Sequence, residues 1–297
     1  MRTSIRSVSF IVFGALLFSG CAFQRISGWN QEAARSELSK QEETRLLESA
    51  RLHWKNRLRR EELEVALREY ETIARANPEH YEAQAFLARG YYLLADAHLP
   101  DEQLEAKKSY WEIGASWGEK ALATQPQFRA LVQNEKKSVE DALETLDRGQ
   151  IEAIYWTASN LGKWAKNSNI STALKYKTRI KKMIERVQAL DPEFFHGAPD
   201  RYWGAYYAAL PALFGGSLEK SESFFRKSIR AHPQYLGTQV LYADILLRKR
   251  GDRKAFRSVL NSVLAAKVDL VAELEPENRL EQAKAKRLIE KEAEIFE

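Results

Sequence analysis

The chain has 297 residues, with 46 Lys and Arg against 41 Asp and Glu, a net charge of +5, and 44% hydrophobic residues. That hydrophobic fraction excludes a wholly disordered chain, and charges of both signs dispersed along the sequence read as solvated helix faces rather than a nucleic-acid surface. Cys21 is the only cysteine, which excludes an intrachain disulfide, so the core must hold by packing alone.

Residues 1–20 carry Arg2 and Arg6 and no acid, then an unbroken apolar and glycine run from Phe10 to Phe18, then Ser19 and Gly20 before Cys21. This order is that of a secretory signal, and the run is far short of the roughly 20 residues that span a bilayer. Removing Arg2 and Arg6 with it leaves a net charge of +3. Leu17-Phe18-Ser19-Gly20-Cys21 resembles the bacterial lipobox, which implies diacylation of Cys21 and a membrane-anchored mature chain. Two or more acyl chains make a stable anchor where one is marginal. By the sorting rule of such lipoproteins, Ala22 implies the outer membrane. Residues 21–45 read as the lipidated cysteine and a polar tether, and 46–297 as one helical domain.

From there on, 14 glycines and 8 prolines in the whole chain fall almost entirely between helix-length apolar runs, and no alternating strand pattern of useful length occurs. The fold class predicted is all-α. Pro78, Pro126, Pro192 and Pro233 each close a helical stretch. Twelve and eight residues ahead of them stand Ala66/Tyr70, Gly114/Gly118, Ile180/Ile184 and Ser221/Phe225. The four-residue step keeps each pair on one face, and the proline stops the helix so that the next can turn back. This is the second-helix signature of a tetratricopeptide repeat. First-helix counterparts are Leu87-Ala88 with Tyr91, Ala208-Ala209 with Ala212, and Tyr242-Ala243 with Leu246. The last two, like Ser221/Phe225 and Ala255/Val259, stand 34 residues apart, the period of that repeat. Irregular spacing elsewhere places insertions at Leu99-Pro100-Asp101, within 128–150, and over Glu193 to Asp200. The expectation is a degenerate tetratricopeptide-like array, single and elongated, with charged capping helices over 34–60 and 277–297.

Two stretches carry more than the repeat. Helix 150–166 buries one stripe through Ile151, Ile154, Ala158, Leu161 and Ala165, yet also carries Tyr155, Trp156, Asn160, Lys163 and Trp164. Helix 201–213 is apolar on two faces, with Tyr202 and Tyr206 on one, Trp203 and Tyr207 on the other. A helix apolar all round is buried on both sides or lines a cavity, and tyrosine and tryptophan suit either role. Asn160, Lys163 and Arg201 sit among aromatics, where an unpaired polar group is costly. A carboxylate ligand would satisfy both cations, and so would salt bridges to Glu152 or Asp200. The ligand-facing candidates are therefore Tyr155, Trp156, Asn160, Lys163, Trp164, Arg201, Tyr202, Tyr206 and Tyr207.

The Tyr155-Trp156…Asn160-Leu161-Gly162-Lys163-Trp164 helix resembles the TRAP transporter T-component family. So do the Phe195-His196-Gly197-Ala198-Pro199-Asp200-Arg201 turn and the Leu210-Pro211…Gly215-Gly216-Ser217 junction. Ala198, Asp200 and Ser217 depart from its usual residues. The resemblance covers roughly Leu46 to the C-terminus. It implies a periplasm-facing lipoprotein of cryptic tetratricopeptide helices beside a periplasmic solute-binding protein and an ion-driven permease. It further implies a homotrimer and a cavity for small, partly hydrophobic ligands.

No enzyme signature accompanies these features. The five histidines have no His-x-x-x-His spacing, no nucleophile elbow or Walker loop occurs, and no cofactor or metal is expected. His196, beside Gly197 and Pro199, reads as a residue satisfying backbone groups of a tight turn. Two functions remain open from the sequence. One is a transport accessory that docks a solute-binding protein; the other is a tetratricopeptide scaffold for outer-membrane or cell-wall assembly with no small ligand.

Overall fold

The computed structural model describes residues 25–31 and 37–297; Cys21 and the signal-like segment lie outside the described residues. Among the described residues every regular element is helical. In chain order these are α1 (Lys40–Lys55), α2 (Arg60–Ala76), α3 (Tyr81–Leu93), α4 (Leu104–Ala123), and the short α5 (Pro126–Arg129) and α6 (Val139–Ala142). Next come α7 (Ile151–Lys166), α8 (Ile170–Leu190), α9 (Phe194–Ala209), α10 (Leu218–Ala231) and α11 (Leu236–Leu241). The last are α12 (Arg248–Arg250), α13 (Arg253–Ala265), α14 (Glu275–Glu290) and α15 (Glu292–Ile295). No helix among the described residues is long and apolar enough to cross a membrane.

Local chemistry sets the boundaries. Ser39 and Glu42 form a capping box at α1, and Asn169, Ser217 and Asp252 accept backbone N–H groups at the starts of α8, α10 and α13. α2, α4, α8 and α10 end at Ala76, Ala123, Leu190 and Ala231, each just ahead of one of the four prolines. Ala66/Tyr70, Ile180/Ile184 and Ser221/Phe225 are all buried, as their spacing predicts. Gly114 and Gly118 bring α4 against α7: a Cβ at either would stand 2.6 Å from Asn160 Oδ1 or 2.1 Å from Thr157 Oγ1.

Consecutive helices pack in pairs, α1 on α2, α3 on α4, α7 on α8, α9 on α10, and α11 with the following Tyr242–Leu247 segment on α13. Irregular segments fill the expected insertions. α3 runs on as a π-helical turn, Leu94–His98, and α11 as another, Tyr242–Leu247. The 126–150 stretch folds into α5, a π turn, α6 and two 3₁₀ turns.

Four details depart from the sequence reading. The helix expected over 201–213 stops at Ala209, because Pro211 cannot continue it, and Ala209 and Ala212 are exposed. In α13 the deepest pair is Phe256/Leu260, with Ala255 and Val259 only partly buried. The tether expected through residue 45 is partly ordered: residues 25–31 dock on α4, and α1 already begins at Lys40. Finally, the array curls back on itself. α14 meets the first helices where Glu277 takes Arg57 at 2.5 Å and Arg89 at 3.0 Å, joining residues 220 and 188 apart in sequence.

Candidate functional site

The closure of α14 onto α3 encloses a small cavity. α3 contributes Arg89 and Tyr92, and its π turn contributes Asp96; α7 contributes Trp156. Phe195 enters from a left-handed turn within the first residues of α9, Tyr235 from the start of α11, and Glu277, Leu280 and Glu281 from α14. The cavity measures about 50 Å³, room for a few waters or the end of a small ligand.

Its wall is a continuous aromatic surface. Tyr92 lies 5.3 Å from Trp156, Trp156 lies 5.1 Å from Phe195, and Phe195 lies 5.6 Å from Tyr235. Arg89 sits against Trp54, Trp156 and Phe195, its guanidinium 5.1, 5.7 and 5.0 Å from the three ring centres. Burial pushes the phenols of Tyr92 and Tyr235 well up, so both remain neutral donors at any physiological pH.

Opposite the rings stands an ionic cluster. Burial alone would raise the Asp96 carboxyl, but the nearby ammonium groups of Lys163 and Lys284 override it and hold that carboxyl well below the usual range. Lys163 donates directly to Asp96, and Lys284 stands 3.8 Å from it. Glu281 has no cation within ion-pair distance among the described residues. Burial pushes its carboxyl up, and Lys284 only partly offsets that. The π turn matters here, because it carries Asp96 over the end of α7; π-helical turns recur at functional sites.

The Phe195 wall depends on unusual backbone. Phe195, His196 and Gly197 are three successive left-handed residues, with φ of 43°, 57° and 70°. Arg201 holds this turn: its guanidinium donates to the carbonyls of Phe195 (3.2 Å) and His196 (3.0 Å) and to Thr238 Oγ1 (3.2 Å), and lies 4.5 Å from the Tyr235 ring centre. Ser228 donates to the Gly197 carbonyl. His196 does not take the backbone role expected of it; its ring stacks on Tyr235 at 5.5 Å.

The nine sequence-derived candidates separate into several places. Trp156 lines the cavity, with Tyr155 packed behind it against Phe194 and Phe195. Lys163 reaches the ionic cluster, but its partner is Asp96 rather than Glu152, which instead accepts from Trp156 Nε1 at 2.8 Å. Arg201 is committed to carbonyls, and Asp200 pairs with Lys227. Asn160 is wholly buried and donates to the carbonyls of Ala88 and Trp156, tying α7 to α3. Tyr202, Tyr206 and Tyr207 form a separate group with Trp203 and Phe224, between α9 and α10. Trp164 packs on Tyr176 and Arg25. Sequence reasoning missed Arg89, Tyr92, Asp96, Tyr235, Glu277 and Glu281. Only the Tyr91-Tyr92 pair in a helix hinted at them, since the acids of α14 read as a solvated cap.

Residues 56–296 match the family model described as TRAP transporter T-component. A protein of Treponema pallidum (strain Nichols), described as uncharacterized, is 26% identical over 239 residues, covering 73% of this chain and 72% of its own.

Proposed function

The chain belongs to the TRAP transporter T-component family, and from that premise we propose a non-catalytic accessory that docks a periplasmic solute-binding protein and holds a small, partly hydrophobic carboxylate. In this reading Cys21 carries the lipid, the protein faces the periplasm from the outer membrane, and it assembles as a homotrimer. Membership itself gives an accessory role in a TRAP transport system and an association with the cell envelope.

The observation that supports the ligand is the aromatic cavity under α14, with a cation on its wall. Lys163 and Arg201, the cations the sequence offers to a carboxylate, are occupied by Asp96 and by backbone carbonyls. Arg89 takes their place: it shares Glu277 with Arg57 and keeps its face toward Trp156 and Phe195. A ligand of this class would lay its apolar part on those rings and its carboxylate near Arg89. At about 50 Å³ the cavity takes only part of such a molecule unless α14 moves outward.

Extraction of the natively purified protein, with mass spectrometry of what is released, tests this. Trp156→Leu is expected to lose the retained molecule while keeping its helix content. Tyr206→Leu, outside the cavity, is expected to retain it. Equal retention by both variants, or the absence of any bound carboxylate in the unaltered protein, overturns the ligand reading.

A further inference from the structure

We infer that the start of α8, with Ile26 beside it, is a membrane-contact face that rests on an anionic lipid surface and fixes the orientation of the domain; the inference builds on the reading of Cys21 as lipidated. Arg25, its side chain 1% exposed, forks onto the fully buried Glu119, Nη1 to Oε1 at 3.0 Å and Nη2 to Oε2 at 2.8 Å, and also reaches Ser116 Oγ. The Gly28 N–H donates to Glu119 Oε2 at 2.6 Å, and a Cβ at Gly28 would stand 2.0 Å from the Ser116 carbonyl oxygen, so the backbone lies flush on α4. Trp29 then packs edge-on to Phe128. Cys21 precedes this clamp by four residues, a reach of at most about 14 Å. Acyl chains on it would therefore hold the body at the bilayer rather than on a long leash.

The clamp also sets which face looks at the lipid. Arg25 leaves α4 beside Trp164, whose ring packs on Tyr176 of α8. Six and two residues ahead of Tyr176, Ile170 is 82% and Leu174 63% exposed; four apart, they share a face, and Ile26 is 62% exposed. Along the chain that carries Ile170 and Leu174 the charge is of one sign, while Glu112 stands 3.9 Å from Arg25 beside Ile26. From residue 153 to 184 the sequence contains no acid but seven Lys or Arg. Among the described residues no carboxylate lies within ion-pair distance of Lys166, Lys175 or Lys177. Exposed aliphatics flanked by long cations suit the headgroup boundary, where apolar tips enter and the ammonium groups meet anionic headgroups.

The test uses the lipidated protein on vesicles of phosphatidylethanolamine and phosphatidylglycerol. A polarity-sensitive dye is placed at Leu174→Cys or, in the exposed segment between α13 and α14, at Leu270→Cys. Acylated Cys21 leaves no other thiol to react. Blue-shifted emission and quenching by a lipid-borne quencher at 174 alone are expected. A dye at 174 as wet as one at 270 on floated vesicles overturns the orientation while leaving the anchor standing. Burial of the 174 dye without vesicles, rising with protein concentration, also overturns it, because a second copy then covers the face. Should mass spectrometry find Cys21 unacylated, the anchor reading fails, and the face is judged with Cys21→Ser protein on the same vesicles. There, Ile170→Ser with Leu174→Ser is expected to lower partitioning about tenfold, and unchanged partitioning overturns the inference.

Discussion

Arg25 and Glu119 form a pair whose two members are almost wholly out of water. Removing one partner of such a pair leaves an uncompensated buried charge, a loss of about 3–5 kcal/mol. Arg25→Met is therefore expected to lower the melting temperature on the order of 10 °C, and adding Glu119→Gln should restore most of it. A double-mutant cycle read by thermal melts checks this; a loss in the double variant equal to the sum of the two single losses would show that the pair is not coupled. Glu281 gives a pH dependence of definite sign. Its carboxyl is raised above the unfolded value by burial, so its stabilising contribution is complete below about pH 4.3 and is lost as pH rises through the folded value. Glu281→Gln stays neutral and is expected to melt higher than the unaltered protein at pH 7.5, with the difference shrinking at pH 4. Asp96 runs the other way. Its lowered carboxyl contributes above the ordinary aspartate range and is lost only in stronger acid, as pH falls toward the depressed folded value.

The left-handed turn within the first residues of α9 is the element that places Phe195 on the cavity wall. Each non-glycine residue in that conformation costs about 1–2 kcal/mol, and the Arg201 guanidinium offsets this by taking the carbonyls of Phe195 and His196. Gly197→Ala adds a third strained residue, and its Cβ would meet Ser228 Oγ at 2.9 Å and His232 at 3.0 Å. A loss of about 1–3 kcal/mol is expected, read by denaturant titration; a neutral substitution would show that the turn relaxes freely. The helices were legible because their signals are local. The proline stops and the buried pairs such as Ala66/Tyr70 follow from spacing within one helix. The cavity was not legible in the same way. Asp96 stands 67 residues from Lys163, and Glu277 stands 188 from Arg89, so neither pairing leaves a pattern within a window of sequence. Trp156 was found because an aromatic off the buried stripe is itself local. Arg201 was found for the same reason, but the carbonyls it satisfies are set by a turn whose left-handed residues, Phe195 and His196, are of types that seldom adopt that conformation.

At the scale of the molecule, closure is the organising feature. Five helix pairs joined end to end would form an open array, but α14 returns to the first helices through Arg57, Arg89 and Glu277, and Lys291 reaches Glu102. The aromatic cavity lies where α14 meets α3, so the ligand retention proposed for it depends on that closure. The clamp at Arg25 holds the N-terminal end of the described chain on the outside of the same body, against α4. As proposed, this body serves a TRAP system by engaging its solute-binding subunit. Affinity capture from periplasmic extract of the native host, with Cys21→Ser protein as bait, tests that most directly. Enrichment of a TRAP solute-binding protein is expected. Recovery of only barrel-assembly or cell-wall proteins would contradict the account.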